Sequence, residues 1–204
     1  TAKLIANMIT VAGADKVIGL DFHAAQLQGF FDIPVDHLTA TPVFYEYFTA
    51  IRDTLGDICF VSPDVGNAKV AEGMANLFSH ATIAIVNKKR IDGEKVAADK
   101  IIGDVQGRTC IMFDDMISTA GTMCEAAKIV MRNGANKIII AATHGVFCGR
   151  AIEKLLDAPI DQIVTTNSIP GGKRILPLGD RYVELCVSRL LSEAIRRNHN
   201  NESV

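Results

Sequence analysis

At 204 residues, 49% of them apolar and 22% charged, with a formal charge of −2, the chain has the make-up of a globular protein of one large or two small domains. The near-neutral charge, with no basic run beyond Lys88-Lys89-Arg90, argues against nucleic acid as the main partner. No apolar run approaches the ~20 residues of a membrane span and no secretory signal is visible, so a cytoplasmic protein with no membrane partner is expected. Leu4, Ile5, Met8 and Ile9 recur at helical spacing, which predicts a helix from Thr1 to Ala12. Lys16 to Leu20 reads as a short buried strand ending at Asp21-Phe22-His23-Ala24. Gln26 to Phe31 is turn-rich, and Ile33 to Leu38 reads as an extended crossing segment.

Thr41-Pro42 opens a second helix, with Pro in the first turn and Val43, Phe44, Tyr47, Phe48 and Ile51 behind it. Ile58 to Val61 is a strand that runs into Ser62-Pro63-Asp64-Val65-Gly66-Asn67. Lys69 to Phe78 is a helix and Thr82 to Val86 a strand, followed at once by Asn87-Lys88-Lys89-Arg90 and a polar stretch to Lys100. After Cys110–Phe113 come helix-like Cys124–Arg132 and strand Lys137–Thr143. Ala151–Leu156 is a short helix, Gln162–Thr165 a strand, and Tyr182 to Arg197 a strand followed by a helix. Continuous apolar strands alternating with amphipathic helices predict an α/β fold with a parallel sheet covered by helices on both faces. A domain seam is expected near Val35–Leu38. The five cysteines (Cys59, Cys110, Cys124, Cys148, Cys186) lack CxxC or Cys/His ligand spacing, which fits reduced and mostly buried thiols.

The stretch from Cys110 to Met123 carries the most chemistry. An apolar strand stops at Asp114-Asp115, and a loop of small residues and hydroxyls leads into a helix. Backbone N–H groups of such a loop can hold a phosphate. Ser118, Thr119 and Thr122 add hydroxyl donors beside Ala120, while Gly121 leaves room for close backbone approach. The two carboxylates can grip sugar hydroxyls, or Mg²⁺ through water. The bland alternative is a strand-turn-helix corner with a solvated acidic pair. Three further loops, Asp21–Ala25, Asp64–Asn67 and Lys88–Arg90, also fall at probable strand C-termini, where open α/β sheets bind ligands. Their convergence points to a phosphate-rich ligand.

Apolar strand, Asp-Asp, two residues and then Ser-Thr-Ala-Gly-Thr resembles the phosphoribosyl pyrophosphate (PRPP) binding motif of phosphoribosyltransferases and PRPP synthetases. The run Gly19 to Leu38, the segment Ser62-Pro63-Asp64-Val65-Gly66 and the end Arg196 to Val204 are similar to the synthetases, the ribose-phosphate diphosphokinases, over nearly the whole length. The resemblance implies two phosphoribosyltransferase-type domains. Residues 1–36 would be the remainder of a first, 37–187 a second carrying the PRPP motif, and 188–204 a C-terminal helix returning to the first. It also implies that an N-terminal segment on the scale of a small domain, roughly one hundred residues, carries most adenine contacts and is absent here.

The implied reaction is diphosphoryl transfer from Mg·ATP to ribose 5-phosphate, with Mg²⁺ as cofactor and a homo-oligomer built from dimers, up to a hexamer. His23 would lie beside the ATP phosphates and, with Asp64, the metal. Val65, Gly66 and Asn67 would form the pyrophosphate loop. Lys88 and Arg90 would close over the transition state, Asp114 and Asp115 would face ribose and metal, and Ser118 to Thr122 would cradle the 5-phosphate. Bland rivals exist: His23 as a core histidine, Asp64 as a turn residue after Pro63, and Lys88–Arg90 as a solvated edge. Ser118, where many synthetases have Asp, and Asn67, where Gly is common, leave open a non-catalytic regulatory subunit. A plain phosphoribosyltransferase is a third reading, disfavoured by the segment around His23.

Overall fold

Two compact units, Thr1–Val43 with Cys186–Val204 and Phe44–Leu185, divide the chain. The structure is a computed structural model. It describes residues 1–64, 66, 68–87, 90–91, 95–96 and 100–204, with the backbone alone at 90–91 and 95–96.

The first unit holds helix α1 (Ala2–Val11), strand β1 (Val17–Leu20), a 3-10 turn (Ala25–Phe30), strand β2 (Val35–Leu38) and the C-terminal helix α6 (Ser188–His199). Val35–Leu38, part of the segment expected to be extended, pairs in parallel with β1 from Val17↔Val35 to Leu20↔Leu38. Gly19 has a steric reason: a Cβ there would run into the Phe22 ring. That ring stacks on His37 at 4.8 Å between centroids, and the Phe22 N–H donates to His37 Nε2 at 2.9 Å. Asp36 on β2 receives Lys16 Nζ at 2.6 Å and Asn198 Nδ2 of α6 at 2.8 Å, tying the strand pair to the C-terminal helix.

The second unit is built on a seven-stranded sheet, and helix α2 (Thr41–Ala50) starts at its boundary. Its strands are β3 (Ile58–Ser62), β4 (Thr82–Asn87), β7 (Lys100–Ile102), β8 (Thr109–Ile117), β9 (Lys137–Gly145), β10 (Gln162–Thr166) and β11 (Tyr182–Leu185). They are ordered β11-β10-β9-β8-β3-β4-β7. All neighbours run parallel except edge strand β7, which lies antiparallel to β4. In a separate two-stranded sheet, β5 (Arg90–Ile91) pairs antiparallel with β6 (Lys95–Val96). Helix α3 (Ala68–Leu77) connects β3 to β4, α4 (Gly121–Arg132) connects β8 to β9, and α5 (Ala151–Asp157) precedes β10.

Period-two alternation along the central strands feeds two apolar layers. Cys59, Val61, Cys110, Met112, Ile138 and Ile140 pack with Met123, Ala127, Val130 and Leu155 of α4 and α5. The intervening Phe60 and Phe113 join Phe44, Phe48 and Phe78 in an aromatic cluster. Burying both faces explains why these strands read as unbroken apolar runs.

Three features differ from the sequence expectation. Strand β8 runs on through Asp114 and Asp115 to Ile117, so the carboxylates sit on the strand and not after it. Pairing of Asp114↔Ala142 and Met116↔His144 with β9 carries it past the acidic pair. Strand β7 lies at the end of the polar stretch read without structure. A 3-10 segment at Gly172–Arg181, containing Pro177, precedes β11.

Candidate functional site

Chain order and sheet order reverse between β3 and β8: β4 lies beyond β3 on one side, and β9 to β11 extend from β8 on the other. In an open parallel sheet that reversal parts the loops at the strand C-termini and leaves a crevice there. The Asp64 turn follows β3, and the acidic end of β8 with its loop lies beside it.

Asp114 and Asp115 are both half-buried. The Asp115 N–H donates to Asp114 Oδ1 at 2.9 Å. Burial and then a side-chain hydrogen bond with Asp115 push the Asp114 carboxyl up to about 7, and the charges of Asp115 and Asp64 push the same way. Asp64 follows β3 and Asp114 lies near the end of its parallel neighbour β8, so the carboxylates stand at the same end of adjacent strands. Asp64 and Gly66 are exposed, and a Cβ on Gly66 would approach Asp64 Oδ1 to 3.3 Å.

Three residues, Ser118 to Ala120, join β8 to α4, and the helix already starts at Gly121. The left-handed residue of this corner is Ala120, at φ 59 and ψ 4. A left-handed residue just before a helix start is the backbone form of an anion nest. A Cβ on Gly121 would meet only Thr119 Oγ1 at 3.8 Å and Lys154 Nζ at 4.0 Å, so its absence leaves the approach to the amides open.

The carbonyls of the corner are all engaged. Ile117 O accepts from Phe147 N at 2.9 Å, Ser118 O from Cys148 N at 2.9 Å and Ala120 O from Cys124 N at 3.0 Å. Thr119 O accepts from Lys154 Nζ at 3.2 Å. A planar trans peptide turns its N–H opposite to its carbonyl, so the amides of Ser118, Thr119, Ala120 and Gly121 are turned away from these partners. Among the described residues none of the four amides donates to a protein acceptor. Ser118 and Gly121 are half-buried and Thr119 and Thr122 exposed.

Asp64, Gly66, Asp114, Asp115 and Ser118 to Thr122 thus gather in the second unit. His23 belongs to the first unit, where it is exposed two residues past Asp21, itself at φ 40. Val65, Asn67 and Lys88 lie outside the described residues, as does the Arg90 side chain. Lys154 went unread in the sequence, because its contact with Thr119 spans thirty-five positions (|i−j| of 35) and joins two different helices' surroundings.

Among the described residues no three His, Cys, Asp or Glu side chains form a metal-holding group. Asp64 and the Asp114–Asp115 pair each offer the oxygen donors a hard divalent cation prefers, and such an ion would take most of its ligands from substrate and water. No described helix is long and apolar enough to cross a membrane.

A family profile described as phosphoribosyl synthetase-associated domain matches residues 68–204. The chain belongs to that family. Among relatives of this family member, the ribose-phosphate pyrophosphokinase of Rhodopirellula baltica is 50% identical over 206 residues, covering 100% of this chain and 64% of the relative. The ribose-phosphate pyrophosphokinase of Gloeobacter violaceus is 44% identical, covering 100% of this chain and 60% of the relative. The phosphoribosylpyrophosphate synthetase of Mycobacterium smegmatis matches in structure with a TM-score of 0.88 at 35% identity, over 98% of this chain and 64% of that one. The α/β fold with a helix-flanked parallel sheet is therefore shared with that synthetase. The chain spans 60% to 64% of the lengths of these three proteins.

Proposed function

We propose that this chain takes part in ribose-phosphate diphosphokinase chemistry, in which the β,γ-diphosphoryl group of Mg·ATP passes to O1 of ribose 5-phosphate to give PRPP and AMP. The observation that carries the reading is one strand-to-helix corner that presents two carboxylates and a row of outward amides at the reversal point of the sheet. Sugar hydroxyls need acceptors and a phosphate needs donors, and both stand here a few residues apart. The relatives' names support the same reading.

In this account the amides of Ser118 to Gly121, with the hydroxyls of Ser118, Thr119 and Thr122, hold the 5-phosphate, and Asp114 and Asp115 accept the ribose hydroxyls. The Asp64–Asn67 loop, with Val65 and Gly66 between, receives the diphosphoryl group, and His23 serves the ATP phosphates. Lys88 and Arg90 neutralise charge on the transferring oxygens. O1 of the sugar bonds to the β-phosphorus and gives up its proton, the bond from that phosphorus to the bridging oxygen breaks, and AMP departs. Mg²⁺, held by Asp64 together with substrate oxygens, would supply charge neutralisation. A cytoplasmic setting and a homo-oligomer of dimers complete the reading.

The test is AMP release from ATP that depends on both ribose 5-phosphate and Mg²⁺. Lys88→Ala should lower turnover by more than tenfold while ribose 5-phosphate affinity changes little. Equal losses in turnover and affinity would remove the assigned role of Lys88. Sugar-phosphate binding without AMP release would favour the regulatory-subunit reading, for which Ser118 and Asn67 already speak.

A further inference from the structure

Three of the four carbonyls at the phosphate corner are held by backbone amides, Phe147, Cys148 and Cys124, which any sequence would supply. The fourth, Thr119 O, is held by a side chain, Lys154 Nζ at 3.2 Å. Thr119 O and Ala120 N–H belong to one rigid peptide plane, so whatever fixes that carbonyl also fixes the direction of the Ala120 amide. That plane sits immediately before the left-handed Ala120, the least favourable backbone conformation in the corner. A plane beside a strained residue is the one most prone to flip when its carbonyl loses its partner.

The backbone of Lys154 is held in place. It lies on α5, and Cys124 Sγ in the first turns of α4 donates to its carbonyl oxygen at 3.5 Å. The Lys154 ammonium stands 4.0 Å from the position a Cβ would take on Gly121, beside the start of α4.

We infer that Lys154 is a positioning residue for the sugar phosphate, clamping the Thr119–Ala120 peptide so that the loop amides stay turned toward the anion. The inference rests on the proposed phosphate site and adds to it a residue on a different helix, outside the PRPP motif. Lys154 does not touch the reacting atoms in this account. An exposed side chain can be truncated without loss of the fold, which makes the inference testable directly.

The experiment compares the unaltered chain with Lys154→Met and Lys154→Arg. Amide chemical shifts and hydrogen exchange of Ser118 to Gly121 are read first, without ligand. Ribose 5-phosphate is then titrated by calorimetry. Lys154→Met should move the Thr119 and Ala120 resonances, speed exchange at Ala120 and weaken ribose 5-phosphate about tenfold or more, the scale of a hydrogen bond to a charged group. Lys154→Arg, which can still donate to Thr119 O, should recover most of both effects. Unchanged loop amides in Lys154→Met would overturn the clamp, and weakened binding in that case would assign Lys154 to plain charge attraction. If the unaltered chain binds no ribose 5-phosphate while the amides respond to Lys154→Met, the clamp stands and the assigned ligand falls.

Discussion

The backbone N–H of Asp115 donates to Oδ1 of its neighbour Asp114 at 2.9 Å, so one acidic residue helps to orient the other on the same strand. Asp114 nonetheless carries a carboxyl raised to about 7 by burial and by its acidic neighbours. Such a group adds little to stability as an anion. Asp114→Asn keeps an oxygen to accept the Asp115 N–H and removes the repulsion, so folding stability near pH 7 should stay within about 1 kcal/mol of the parent. Ribose 5-phosphate affinity should fall about tenfold, because a charged acceptor is replaced by a neutral one. Denaturant unfolding and calorimetry read the two effects, and equal loss in both would mean that the pair is structural.

Ala120 provides a backbone test. It is nearly buried, at 5% exposure, and left-handed. Glycine adopts this conformation freely, so Ala120→Gly should leave stability within about 1 kcal/mol of the parent. Ala120→Val places a branched side chain in both a strained conformation and a filled space, and should cost about 2 kcal/mol or more. Equal stabilities for the two variants would contradict the assigned backbone geometry.

Phe113 is the hub of the aromatic layer that faces away from α4, with ring centroids 5.2 Å from Phe44, 5.7 Å from Phe48 and 6.0 Å from Phe60. Phe113→Ala should cost about 3–5 kcal/mol in urea unfolding of the second unit, the usual range for removing a buried ring. A loss below about 1 kcal/mol would mean the layer is far less tightly packed than these distances require.

In the first unit the Asp36 carboxyl is held below the ordinary aspartate value of 3.8, chiefly by the hydrogen bond from Lys16, with burial opposing and Asn198 assisting. A depressed folded-state value means that the contribution is present above 3.8 and fades as pH falls through the folded value. Asp36→Asn should therefore be less stable than the parent at neutral pH, and the gap should close in strong acid. Thermal unfolding of both proteins across that range reads it. A gap independent of pH would show that the charge of Asp36 is not what matters.

Much of this architecture was legible because both faces of the central strands are buried, which writes them into the sequence as unbroken apolar runs such as Ile58–Val61 and Ile138–Ala142. The acidic corner was legible because Asp-Asp followed by small hydroxylated residues has few purely structural uses. Other features rest on partners far away in sequence. Val35–Leu38 becomes a strand only through β1, and β7 only through β4. Ala120 takes a left-handed turn after peptide planes that Phe147, Cys148 and Lys154 hold. No local pattern around residue 154 announces that contact.

The most direct test of the central claim is calorimetric titration of ribose 5-phosphate into the chain with Mg²⁺ present, beside an Asp115→Ala, Thr119→Ala double variant. The account predicts saturable binding to the unaltered chain and its loss in a folded variant. Absence of binding to a folded, unaltered chain, or equal binding by the two proteins, would contradict it.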